Sequence, residues 1–236
     1  MNIAKVGRPA DIPLKIFKSK HKLPILASYK EAPSSDFWDL FPKNYKFPGK
    51  SKISYVELQK LVKQCNIDGA DQILHDIKYG ASIGCMGQAR LPTFSKNAES
   101  SFGFGPQVTD AICDWIHKGF AMGPFRREQI PKDAKISSIM CRPKPNGSAR
   151  VILNLSAPEG KSVNDGIDNK NFPATMSSTE KWLCVLNEAG HGCNIVKIDW
   201  SDAYKHIAVS PHDVCLQYFS WLGMFFAELC LIFGAS

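Results

Sequence analysis

With 236 residues, 44% apolar content and Lys+Arg 29 against Asp+Glu 22, the chain can bury a substantial core and carries a net charge of +7. That composition excludes a disordered chain and a staple-dependent miniature scaffold, and it permits a polyanionic partner without requiring one. The eight cysteines stand singly, with no C-x-x-C pair and no histidine at ligand spacing, so reduced thiols are expected rather than a zinc site or a disulfide framework.

The N-terminus lacks the apolar core of a signal peptide. The longest apolar stretch, Trp221 to Ala235, is too short to span a bilayer and contains Glu228. A cytoplasmic or nuclear protein with no membrane partner is expected. Two glycosylation sequons, at Asn146 and Asn154, accordingly read as turn and strand chemistry.

In chain order, six prolines interrupt residues 1–50, which reads as an extended basic arm with little regular structure. Ser54-Tyr55-Val56-Glu57 has the form of a capping box, and the apolar residues that follow predict a helix to about Cys65. A second helix is expected over Ala70 to Lys78, completing a helical lead-in region at 51–118 together with a third from Pro106 to a glycine cap at Gly119. Gly80, Gly84 and Gly87 have no strand before them and no Gly-Lys-Ser/Thr after them, so a turn is favoured over a phosphate loop.

Beyond Gly119 the period changes. Ile136 to Arg142 and Arg150 to Leu155 predict a two-stranded finger turning at Asn146-Gly147. Ser177-Ser178-Thr179-Glu180 predicts a helix cap and Gly190 its end. An apolar run then delivers Asp199 to a strand end, and two further strands, Cys215 to Ser220 and Met224 to Phe233, turn at Trp221-Leu222-Gly223.

Three blocks carry a family resemblance. Lys144-Pro145-Asn146-Gly147-Ser148-Ala149-Arg150 and the strand after it resemble the fingertip hairpin of reverse transcriptases. Val196-Lys197-Ile198-Asp199-Trp200-Ser201-Asp202-Ala203-Tyr204-Lys205-His206-Ile207 resembles their first catalytic motif, and Leu231-Ile232-Phe233-Gly234-Ala235-Ser236 the opening of the next. The wording around 119–125 and 162–167 is similar to retrotransposon polymerases of the tyrosine-recombinase, DIRS-like group.

The resemblance implies an α+β chain, a partial right-hand polymerase whose fingers and incomplete palm occupy 119–236. Its implied activity is RNA-directed DNA synthesis with Mg²⁺, on an RNA or DNA primer-template with deoxynucleoside triphosphates. Such chemistry needs a hard cation held by carboxylate oxygen close to the α-phosphate. Asp199 is the implied catalytic residue and metal ligand, with the Trp200 carbonyl as a second ligand. Lys144 and Arg150 would fold over the triphosphate, Asp202 and Ala203 would approach it through the backbone, Tyr204 would exclude a 2′-hydroxyl, and Phe233 and Gly234 would lie near the sugar.

Asn154, Ser156 and Ile232 depart from residues common in the family, and its paired-aspartate turn is not found in this sequence. The chain alone is therefore expected to be inactive. The competing readings are a non-catalytic nucleic-acid-binding remnant of a mobile element and a degenerate reading frame. Read singly, each residue also has a plainer role: Asp199 a turn residue, Tyr204 a core ring, Lys144 and Arg150 a solvated turn.

Overall fold

A computed structural model of the chain describes residues 51–65, 67, 69–168, 177–197 and 199–234, and the backbone of 16–18 and 24–26. The rest of the expected basic arm lies outside the described residues, as do Ile198, Ala235 and Ser236 of the two polymerase-like blocks. Within the arm, β1 (Ile16–Lys18) and β2 (Pro24–Leu26) pair antiparallel, a short ladder that the proline content did not lead us to expect. Pro24 stands at the first position of its strand, where proline is tolerated.

Helix α1 (Tyr55–Cys65) begins as its sequence predicts, the Glu57 amide donating to Ser54 Oγ at 3.4 Å. Helix α2 (Ala70–Tyr79) ends at Gly80, whose φ of 96° lies in glycine's territory. A side chain would not fit there, since an added Cβ would stand 2.6 Å from the Val209 carbonyl oxygen. The turn reading of the glycine-rich stretch therefore acquires a reason: the backbone must approach the 208–210 segment. A short helix α3 (Glu99–Gly103) leads into α4 (Gly105–His117), which has proline in its first turn and buries Val108, Ile112, Cys113 and Ile116.

The chain is α+β. The strands β3 (Ala121–Phe125), β4 (Ile136–Pro143), β5 (Ala149–Asn154), β6 (Tyr218–Trp221) and β7 (Met224–Glu228) form one mixed sheet in the order β3-β7-β6-β4-β5, with β4 and β6 parallel and the other neighbours antiparallel. β4 (Ile136–Pro143) and β5 (Ala149–Asn154) make the expected finger, closed by Lys144 N–H on Ser148 O at 2.7 Å and by Gly147, whose φ is 77°. Both sequons act as turn chemistry, the Asn146 Oδ1 accepting from the Ser148 hydroxyl at 2.7 Å and Asn154 Oδ1 from the Ser156 amide at 3.0 Å.

β3 (Ala121–Phe125), absent from the predicted elements, runs through Gly123-Pro124. It is an edge strand whose register shifts between Met122 and Phe125, the setting in which proline is tolerated. β6 (Tyr218–Trp221) and β7 (Met224–Glu228) are shorter than predicted. Val214–Leu216 forms a 3₁₀ turn instead of the strand's start, and beyond Glu228 the ladder gives way to a single bridge between Cys230 and Ala208. The turn at Leu222-Gly223 has φ of 48° and 76°, the pair of positive values that a two-residue hairpin of right-handed twist requires.

The parallel pairing of β4 with β6 stops after Ser137 and Phe219. Where the two strands splay, Asn97 fills the gap, accepting from Ile139 N–H at 2.9 Å and donating to Ser220 O at 2.8 Å, while Ser100 Oγ takes the Cys141 amide at 3.1 Å. Buried β4 groups thus keep their partners without a strand. One hydrophobic cluster joins Ile83 and Cys85 to α4, to the sheet and to Leu229, Cys230 and Ile232. Trp221, 1% exposed, donates its indole N–H to Thr109 Oγ1 at 2.9 Å and so fastens β6 to α4.

Helix α5 (Thr179–Ala189) is capped one residue later than predicted, with Ser178 Oγ accepting from Lys181 N–H at 3.4 Å. It buries no residue. The strand predicted to carry Asp199 is not formed: described residues 193–197 and 199–200 have no ladder, and Ile195 and Val196 are 74% and 79% exposed. An extended run becomes a strand only when a neighbour takes up its N–H and C=O groups, and among the described residues none does so.

Candidate active site

The segment that follows Asp199 is placed by backbone pairing further along the chain. Val209 N–H donates to Leu229 O and Leu231 N–H to Ile207 O, both at 2.9 Å, around an antiparallel bridge between Ala208 and Cys230. From the other side, Ala81 N–H donates to Ala208 O and Ser210 N–H to Ala81 O, both at 2.8 Å. Residues 207–210 are thereby held between the end of α2 and the extension of β7. Lys52 N–H adds a bond to His206 O at 2.8 Å.

That arrangement decides which predicted residues meet. A 3₁₀ turn, Ala203–His206, sets the Tyr204 ring edge-on to Phe233 with centroids 5.5 Å apart. Gly234 stands next in the chain, its carbonyl accepting from Asn164 Nδ2 at 2.7 Å. Asn164 also donates to Ser156 Oγ at 2.8 Å, linking β5's end to the same place. Asp202 has φ of 55°, and its carboxylate pairs with Lys118 Nζ at 3.0 Å. Lys118 also pairs with Asp114 at 3.0 Å, and these hydrogen bonds, Asp114's the larger, hold its amine above the usual lysine range.

Asp199 and Trp200 are exposed, and the Trp200 ring lies 5.9 Å from that of His206. Among the described residues no group of three or more His, Cys, Asp or Glu is gathered as a metal ion would need. Asp199 with the Trp200 carbonyl would supply only part of a two-cation centre, which takes carboxylates on both ions. Lys144 and Arg150 belong to a different part of the fold, Lys144 in the exposed turn between β4 and β5 and Arg150 on β5, exposed and opposite Arg142. No hydrogen bond or ion pair among the described residues joins either to 199–206.

Sequence reasoning missed two charged nodes. Asp213, 4% exposed, accepts from Ser82 Oγ, Ile83 N–H and Arg90 Nη1, each at 2.8 Å, and so holds the glycine-rich stretch against the 212–213 turn. Arg90 donates as well to the Cys85 and His212 carbonyls, both at 3.0 Å. The other node joins Lys205 to Glu228, which is 1% exposed at the end of β7. Burial pushes the Glu228 carboxyl above the usual range, and the nearby Lys205 amine opposes that shift without cancelling it. An isolated lysine and glutamate 23 residues apart give no local signal.

No helix among the described residues is long and apolar enough to cross a membrane. The chain matches no family model. Over 118 residues, 46% of this chain and 11% of that protein, it is 26% identical to the protein HIRA of Dictyostelium discoideum. Among solved structures it is similar to the protease-reverse transcriptase of prototype foamy virus, at 16% identity and a TM-score of 0.45, covering 77% of this chain and 25% of that one. It is also similar to a foamy viral protease-reverse transcriptase in complex with dsDNA, at 16% identity and a TM-score of 0.42, covering 82% and 40%. A third likeness is to the foamy viral enzyme in complex with RNA/DNA hybrid, at 14% identity and a TM-score of 0.43, covering 82% and 26%. The chain thus spans well under half of the length of each of these, and with TM-scores below 0.5 the fold likeness decides nothing about the site.

Proposed function

We propose that the chain is the fingers and nucleotide-facing part of an RNA-directed DNA polymerase of the retrotransposon, DIRS-like kind. Its ligands would be an RNA or DNA primer-template and a deoxynucleoside triphosphate. The observation that carries this reading is the meeting of Tyr204 with Phe233 beside Gly234. The family resemblance implies that these two residues, about thirty positions apart, share one nucleotide sugar, and a 5.5 Å ring contact supports such a shared site.

In this reading Arg150 and Lys144 contact phosphate from the exposed finger, Arg150 by fork-like charge-assisted bonds and Lys144 as a point charge. Tyr204 presents a ring where a 2′-hydroxyl would stand. Asp202 and Ala203 offer backbone amides to the triphosphate. Asp199 would be one ligand of Mg²⁺, which in such enzymes activates the primer hydroxyl and neutralises charge at the α-phosphate. Because the described residues do not complete a two-cation centre, no catalytic step is assigned to the chain by itself.

Binding tests the reading directly. The 236-residue chain, titrated against a labelled RNA/DNA primer-template with and without dATP, is expected to bind the duplex and then the nucleotide, and to extend no primer with Mg²⁺. If it bound neither the hybrid nor dATP, the polymerase reading would be wrong. Extension above background would overturn the statement that the chain alone is inactive.

A further inference from the structure

The segment carrying Asp199, Asp202 and Tyr204 emerges from an exposed stretch whose described residues pair with no strand, yet its last turn is fixed. Lys205, one residue beyond Tyr204, turns inward. Its side chain is only 15% exposed, and its amine pairs with Glu228 Oε1 and lies 4.4 Å from the centre of the Trp115 ring. Glu228 cannot shift to follow it. Its own N–H is bonded to Gln217 O at 3.0 Å, and it pairs with Ala121 across the ladder between β3 and β7.

A buried ion pair is weak evidence for stability, because desolvating both charges offsets most of their attraction. Here the offset is visible, since Glu228 Oε2 is buried with no hydrogen-bond partner. An apolar pair in the same place would leave no such orphan. What the charged pair supplies instead is direction, as a cation meets a carboxylate in one place only, whereas apolar side chains slide. A second side-chain tie, Lys118 to Asp202, joins side chains 40% and 43% exposed and is worth little, and Lys52 N–H adds a backbone bond to His206 O at 2.8 Å without fixing any side chain of the turn.

We propose that Glu228, acting through Lys205, is a positioning residue that fixes the Ala203–His206 turn on the end of β7 and so sets Tyr204 against Phe233. Its functional meaning rests on the polymerase reading above. Were the pair only structural, local order in the turn and global stability would change together. A positioning pair separates them.

Hydrogen exchange on the whole 236-residue chain reads the turn through the Lys205 and Ile207 amides, which donate to Asp202 O at 2.8 Å and Tyr204 O at 3.2 Å, while urea unfolding reads global stability. Glu228→Gln and Lys205→Met singly are expected to lose stability and to exchange at those amides about tenfold faster or more, since local opening responds to the contacts that close it. The double variant removes both charges. It is expected to recover most of the global stability while the fast local exchange persists. Lys205→Arg, which keeps the cation over Trp115, is expected to keep protection.

The inference is overturned if either single variant leaves the exchange at 205 and 207 unchanged, if Lys205→Arg loses protection as Lys205→Met does, or if local protection in the double variant returns in step with stability. A double variant that does not fold would make the pair a structural necessity and would overturn it equally. Titration of the wild-type chain with the RNA/DNA primer-template and dATP judges the polymerase reading separately, whatever the exchange shows.

Discussion

Replacing Asp213 with alanine removes the carboxylate that holds the glycine-rich stretch to the 212–213 turn. The three bonds are unequal in worth. Ile83 is 6% exposed, so its N–H, left without the 2.8 Å bond, bears the full cost of an orphaned buried donor, about 1–3 kcal/mol. The Arg90 side chain is 37% exposed and keeps its bonds to two carbonyls, so losing the ion pair adds about 1 kcal/mol or less. Ser82 is exposed and rehydrates. The sum, roughly 1–4 kcal/mol, is a sizeable part of the roughly 5–15 kcal/mol that a domain has, and in a chain of this size it lowers Tm by roughly 2–16 °C. Calorimetry or urea unfolding measures it. Asp213→Asn keeps one acceptor for Ile83 and is expected to lose less. A loss below about 1 kcal/mol for Asp213→Ala would refute the assignment of Asp213 as the anchor of this stretch.

Gly80→Ala forces a Cβ to 2.6 Å from Val209 O at a φ of 96° and is expected to cost at least about 1–3 kcal/mol in urea unfolding, with the Ala81 and Ser210 amides losing protection first. Arg150→Ala is expected to weaken dATP binding to the chain–hybrid complex by about 1.5–3 kcal/mol, read by titration, and unchanged affinity would return Arg150 to a solvated turn. Tyr204→Ala is expected to let ATP bind nearly as well as dATP while Tyr204→Phe, which keeps the ring facing Phe233, preserves the preference; equal preference in both variants would put the discrimination elsewhere. Asp165, whose carboxyl is held below the ordinary 3.8 by the Ser162 hydroxyl and amide, contributes stability above that value and loses it as pH falls through its depressed folded value. The stability gap between wild type and Asp165→Asn is therefore expected at neutral pH and should close at the acid end of a pH series of urea unfolding curves.

Local chemistry was legible in the sequence wherever the signal lay within a few residues. The capping serine of α1, the helical spacing of Val108, Ile112 and Ile116 and the turn at Asn146-Gly147 each act within one turn of chain, and each appears where the sequence predicts. β3 was missed for the opposite reason, since Gly123-Pro124 looks like a break until a neighbouring strand tolerates it. The strand at Asp199 was overpredicted. Its apolar run has the right composition, but composition does not provide a neighbour, and described residues 193–197 remain unpaired.

The sequence by itself determined which residues resemble polymerase motifs and in which order they come. Only the tertiary structure decided that Tyr204 faces Phe233, that Lys205 reaches Glu228, and that Ser82 meets Asp213 across 131 residues. The physical reason is that helix caps and turns are closed by bonds between near neighbours, whereas these contacts depend on the bridges at Ala81, Ala208 and Cys230. Those bridges are made of backbone N–H and C=O groups, which nearly every residue carries, so no side-chain pattern marks them in advance.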